Sequence, residues 1–211
     1  MYLSQLILNP GNRLVLADLS NPYQMHRTVM SGFPQNLPQD ERVLFRVELQ
    51  RQAPVARVLV QSHTSPRWDH LLEKGYLQLA AEVKEIAFSP AEGQVFRFRL
   101  LANPTKRLRA DGKEDGPRVG LFREHDQQAW LQRKGELHGF KVLEVTISKT
   151  VQPDGWKVTG SGQKHRLRQV GARFDGRLQV TDAQAFLRAW LDGIGSGKGL
   201  GFGLLSLAPG A

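Results

Sequence analysis

The 211-residue chain contains no cysteine. Disulfides, thiolate nucleophiles and cysteine-ligated zinc are therefore excluded. It also lacks any apolar run near the roughly 20 residues that a membrane-spanning helix requires. The opening stretch MYLSQLILNPGNR has neither the basic start nor the small-residue cleavage site of a secretory signal. These absences lead to the expectation of a protein of the reducing cytoplasm with no membrane partner. Histidines are few and dispersed, at positions 26, 63, 70, 125, 138 and 165, and the acidic residues form no cluster of the two-metal nuclease kind. Neither a metal nor a cofactor is expected.

What is abundant is positive charge. The formal net charge is +9, and 19 of the 29 basic residues are arginine. The excess is one-sided: residues 1–93 hold 9 basic and 9 acidic side chains, whereas residues 94–211 hold 20 and 11. Arginine presents a planar fork that matches phosphate oxygens in pairs and stacks on bases, so a polyanionic partner is indicated. A generically soluble basic face remains the plainer reading.

The periodicities repeat. Tyr2–Asn9 alternates like a strand, and Asn21-Pro22 supplies an N-cap and a first-turn proline for a helix that Gly32 and Pro34 end. Val43–Leu49 and Val55–Gln61 read as a strand pair, Arg67–Lys74 as a short helix and Tyr76–Phe88 as a last strand. The second half gives a strand at Gln94–Ala102, a helix at Glu124–Gly139 and a strand at Phe140–Lys149. A basic hairpin region follows, then runs Gln169–Phe174 and Arg177–Thr181 about a predicted Asp175-Gly176 turn. A helix capped by Asp182 and a final strand at Leu204–Leu207 complete it. Each half reads βαββαβ, and Asn-Pro-x-x-Arg recurs at Asn9–Arg13 and Asn103–Arg107. The expectation is an α+β protein of two tandem ferredoxin-like domains, 1–90 and 94–211; the alternative is a single large α+β domain.

Glycines 193, 195, 197, 199, 201 and 203 alternate through the last helix-to-strand connection. A Walker loop needs Ser or Thr after Gly-Lys and a following helix, yet Gly199 follows Lys198 and only a strand's length remains. A dinucleotide fingerprint should leave a strand and open a helix, and this run does not. The stretch is either a bulged lead-in to the last strand or a direct contact for a phosphate backbone. Tyr23 and His26, three residues apart at the start of a helix, sit on adjoining positions of one face near the helix N-terminus. From spacing alone the favoured reading is a half-buried aromatic and an ordinary surface or capping imidazole.

Three segments together carry a resemblance. Asn21-Pro22-Tyr23-x-Met25-His26-Arg27 after the first strand, Ala102-Asn103-Pro104-x-Lys106-Arg107, and Gly197-Lys198-x-Leu200-Gly201-x-Gly203-Leu204-Leu205 resemble the CasE family, the CRISPR RNA-processing endoribonucleases of the type I-E Cascade complex. The resemblance covers nearly the whole chain, with the motifs in the family's order. It implies tandem ferredoxin-like domains and metal-independent cleavage at the base of a repeat stem-loop. It also implies retention of the product RNA within a complex of other Cascade subunits. Position by position it assigns Tyr23 and His26 as the catalytic pair and the terminal glycine motif, with Lys198 and Gly199, as a signature loop. One departure is that some members carry a lysine soon after the catalytic histidine, where this chain has Thr28-Val29-Met30-Ser31-Gly32. Arg27 and Lys198 are the candidate cations instead.

The RNA 2′-hydroxyl is an internal nucleophile beside the scissile phosphorus, so a protein need only align it and manage protons. His26 is then general base or general acid, and Tyr23 a positioning or proton-sharing group, leaving a 2′,3′-cyclic phosphate. The densest basic clusters are Lys106-Arg107-x-Arg109 and Lys157 with Lys164-His165-Arg166-x-Arg168, which are expected to follow phosphates along an A-form stem. A competing reading is a non-catalytic RNA-binding scaffold, although no RNP-type aromatic strand is present. Phe96 and Phe98, alternating with arginines, are expected in the core.

Overall fold

The computed structural model describes residues 1–49, 56–108, 116–150, 155–158, 164–167 and 171–210, with the backbone alone for 149–150, 155–158 and 164–167. They group into two compact units. One takes Met1–Ala87 with Pro153–Arg168 and Lys198–Gly201; the other takes Phe88–Gln152, Gln169–Gly197 and Phe202–Ala211.

The first unit runs β1 (Tyr2–Ile7), α1 (Arg13–Ser20), α2 (Pro22–Met30), β2 (Leu44–Leu49), β3 (Ala56–Ser62), α3 (Asp69–Glu73) and β4 (Glu82–Glu85). Its antiparallel sheet has the order β2-β3-β1-β4. Alternation on β1 and β3 sends Leu6, Val58 and Val60 into a core closed by Met25, Val29, Phe45, Trp68, Leu71, Tyr76 and Leu77. Two expectations are corrected here. The expected βαββαβ order lacks a helix, α1, which Asn12 caps by accepting from the Leu14 N–H. The last strand is also far shorter than Tyr76–Phe88. Tyr76 and Leu77 turn inward to the core at 3% exposure each, so the ladder with β1 re-forms only at Glu82–Glu85. That edge strand is exposed and charged, with Glu82, Lys84 and Glu85 guarding its open side.

The second unit comprises β5 (Val95–Ala102), β6 (Thr105–Arg107), β7 (Arg118–Gly120), α4 (Glu124–Leu137), β8 (Phe140–Thr150), β11 (Gly171–Val180), α5 (Ala183–Asp192) and β12 (Leu205–Pro209). The intervening β9 (Gly155–Val158) and β10 (Lys164–Leu167) pair with one another and group with the first unit. The main sheet is antiparallel, in the order β12-β5-β11-β8. Phe96, Phe98 and Leu100 face the core with Trp130, Phe174, Phe186 and Trp190. Their neighbours Arg97 and Arg99 point the other way, and Arg99 and Arg173 both engage Asp175 on β11. Asp182 caps α5 by accepting from the Ala185 N–H.

Asp175-Gly176 is not a turn. Both residues lie inside the continuous strand β11, whose register against β8 shifts between Arg177 and Leu178. A Cβ at Gly176 would fall 2.0 Å from the Glu144 carbonyl oxygen, so the glycine serves close approach of two strands rather than chain reversal. Gly176→Ala is expected to cost about 1–3 kcal/mol, as overpacking typically does. A thermal midpoint equal to wild type would show that β8 yields without cost.

Candidate active site on the second helix

Helix α2 owes its start to Asn21, whose side chain accepts from the Tyr23 N–H at 3.1 Å, and to Pro22 at its first position. Met25 and Val29, four residues apart, bury against the core and fix which face the helix shows outward. Ser31 ends it, its N–H returning to Arg27 and Thr28 carbonyls. A second anchor is polar. Asp18 of α1, 8% exposed, accepts hydrogen bonds through Oδ2 from the Thr28 hydroxyl at 2.6 Å and the Tyr76 hydroxyl at 2.7 Å. Burial first, then the bond to Asp18 and its negative charge, raise the Tyr76 phenol well above its ordinary range and keep it a donor.

His26, half-buried on this helix, stacks on Phe45 of β2 with ring centroids 6.3 Å apart and planes 25° apart. The 3₁₀ turn Lys198–Leu200 also lies against α2 and β2. A Cβ built on Gly199 would sit 3.6 Å from His26 Cε1 and 3.7 Å from Nδ1. The imidazole thus rests between an aromatic ring and a bare stretch of backbone. Next to it, Gly201 takes φ +87°, and a Cβ there would meet Phe45 at 3.2 Å. His26 Nδ1 is buried and has no hydrogen-bond partner among the described residues. Burial lowers the His26 pKa below its usual 6.5, so the ring is mainly neutral at pH 7.

The residues expected at the site distribute as follows. Tyr23 is half-buried in the first turn of α2; Arg27 is exposed on the same helix and its guanidinium reaches Gln24 at 3.5 Å. Lys198 and Gly199 reach His26's helix from the far end of the chain, within the first unit. In the β9–β10 hairpin, Lys157 stands opposite His165, Lys164 opposite Val158 and Arg166 opposite Trp156, and β9 lies against α2. Arg109 and Arg168 fall outside the described residues. Lys106 and Arg107 are exposed on β6 of the second unit. Among the described residues, no group of three or more His, Cys, Asp or Glu side chains could hold a metal ion, and no helix is long and apolar enough to cross a membrane. Phe45 and Asp18 escaped sequence reasoning. Phe45 looks like any interior aromatic of a strand, while Asp18 at helical spacing from Val15 hinted only at an amphipathic face.

The comparisons agree along the full length. The profile of the CRISPR associated protein family matches residues 1–209. The CRISPR-associated endoribonuclease Cse3 of Thermus thermophilus is 41% identical over 219 residues, covering 99% of this chain and 100% of that protein. The CRISPR system Cascade subunit CasE of Escherichia coli K12 is 32% identical, with 99% and 100% covered. A structure of CRISPR endoribonuclease Cse3 bound to 19 nt RNA superimposes with a TM-score of 0.86 at 40% identity, covering 99% of this chain and 100% of that one. Cas6e from E. coli K-12 gives a TM-score of 0.69 at 31% identity, again with 99% and 100% covered. The chain is a member of the CRISPR associated protein family and, within it, of the CasE group.

Proposed function

We propose that this chain is a metal-independent endoribonuclease of the cytoplasm. It cuts precursor CRISPR RNA at the base of the repeat stem-loop, leaves a 2′,3′-cyclic phosphate, and stays with its product RNA among other Cascade subunits. The observation that carries this reading is the placement of His26 against Gly199 of the terminal glycine motif. Two of the three segments that resemble the family meet there. The names of the relatives, an endoribonuclease and a Cascade subunit, support the activity and the assembly. The sheet orders support two ferredoxin-like halves: numbered within each βαββαβ set, both run 2-3-1-4.

In this mechanism His26 is the general base. Burial favours the neutral ring, which can take the 2′-hydroxyl proton without first losing one of its own. Attack of the 2′-oxygen on phosphorus breaks the bond to the 5′-oxygen, which departs as a hydroxyl with a proton from solvent, while Tyr23 positions the reacting group by a hydrogen bond. Arg27 or Lys198 offsets charge on the phosphoryl oxygens, with the bare glycine backbone at 199 admitting the phosphate closely. Lys106, Arg107, Arg109, Lys157, Lys164, Arg166 and Arg168 grip the stem through its phosphates. Neutralising Arg166 and Arg168 together should flatten the slope of log affinity against log salt; an unchanged slope would remove them from the backbone contact.

The test is incubation of the purified protein with repeat RNA in EDTA, followed by analysis of the new 3′ end. Scission at one position with a cyclic phosphate is expected, and a 2′-deoxy nucleotide at the cut should abolish it. A stable uncut complex would make the protein a scaffold instead.

The lowered His26 pKa fixes the sign of the pH dependence. As a base, His26 must be unprotonated, so kcat/KM should rise with pH through a value below 6.5 and be flat from pH 7 to 8. Were His26 the essential acid, kcat/KM would fall about tenfold per pH unit over that upper range.

A further inference from the structure

We infer that the outward strip of the β6–β7 hairpin, from Arg118 to Phe122, binds unpaired RNA nucleotides flanking the stem-loop. Phe122 serves as the stacking platform for a base. This rests on the reading of the chain as a stem-loop RNA-binding protein and extends it to a second subsite.

The strip follows from strand alternation. Thr105 pairs with Gly120, Lys106 with Val119 and Arg107 with Arg118, and the Leu121 N–H continues the ladder to the Pro104 carbonyl at 2.9 Å. Leu121 points inward at 4% exposure, so Arg118, Gly120 and Phe122 share the opposite face with Arg107. Phe122 is 68% exposed, the one exposed Phe, Trp or Tyr among the residues whose side chains are described. Among the described residues of the hairpin, 105–108 and 116–123, every charged side chain is basic and exposed: Lys106, Arg107, Arg118 and Arg123, with Glu124 following in the first turn of α4.

Arg118 to Phe122 spans at most about 14 Å, the reach of a short extended single strand. Gly120 between them leaves bare backbone against which a ribose can lie. An exposed ring flanked by guanidinium groups is the arrangement that holds splayed bases, whereas a base inside a paired stem has no free face to offer it. The occupant is therefore single-stranded.

Equilibrium binding by the full chain would be measured for three RNAs, each made uncleavable by a 2′-deoxy nucleotide. They are a blunt stem-loop, the same stem-loop with four unpaired nucleotides on its 5′ side, and one with four on its 3′ side. Phe122→Ala should weaken binding of one flanked RNA roughly 5–150-fold, the fold-change of one lost base stack, and leave the blunt stem-loop within about twofold. Phe122→Trp should restore the flanked affinity. An abasic site in the flank should weaken wild type but not the alanine variant. Equal loss for blunt and flanked RNA, or loss for neither, overturns the inference; the second result gives the strip to a protein partner. If wild type fails to bind the blunt stem-loop, the parent reading falls and this one with it.

Discussion

Replacing His26 with alanine should lower the single-turnover rate of repeat RNA cleavage by about 10²–10⁴-fold while the dissociation constant of the uncleaved RNA should stay near that of wild type. The magnitude is that of a positioned acid–base group. The separation of rate from affinity follows from the site. The imidazole makes no hydrogen bond through Nδ1 among the described residues and lies beside Phe45 and Gly199. Its removal costs the fold little more than a stacked contact. Filter binding and quenched cleavage time courses on the same preparation give both quantities. If cleavage and binding fall in the same proportion, His26 shapes the site and moves no proton.

The second large effect is on stability. Asp18→Ala leaves the Thr28 and Tyr76 hydroxyls without the acceptor they share. A buried donor so orphaned costs about 1–3 kcal/mol, and two of them about 2–6 kcal/mol. For a chain of this length the thermal midpoint should drop on the order of 10 °C. Asp18→Asn, which keeps one acceptor oxygen, should lose less. Thr28 lies two residues beyond His26, so the loosened helix also carries the active imidazole. Thr28→Ser retains the hydroxyl and should keep both stability and rate, whereas Thr28→Val should lose both in part. A midpoint for Asp18→Ala within error of wild type would mean that water satisfies the two hydroxyls and that the helix is held by Met25 and Val29 alone.

What the sequence disclosed depended on whether a signal was local. Helix α2 was legible because Asn21, Pro22 and the Met25/Val29 spacing each bear on the same nine residues. Strand β5 was legible because its arginines and phenylalanines alternate across a sheet with one buried face. Asp175-Gly176 misled because the same dipeptide suits a turn and a close strand crossing, and only the carbonyl of Glu144 across the sheet tells them apart. Helix α1 was not legible because its eight residues show only a short apolar pattern and its one clear signal is the Asn12 cap. At the site, Tyr23 and His26 stood out by spacing and by family resemblance. Their environment did not, because Phe45 and Gly199 reach the imidazole through tertiary packing that no short motif encodes.

The turn Lys198–Gly201 belongs to the unit that opens the chain, although its neighbours on both sides belong to the other. A fragment stopping at Ala87 would keep the imidazole and lose the backbone that faces it. On the proposed mechanism, splitting this polypeptide at the middle should yield no free-standing catalyst, and peptides that restore activity to such a fragment should need the glycine segment from the opposite terminus.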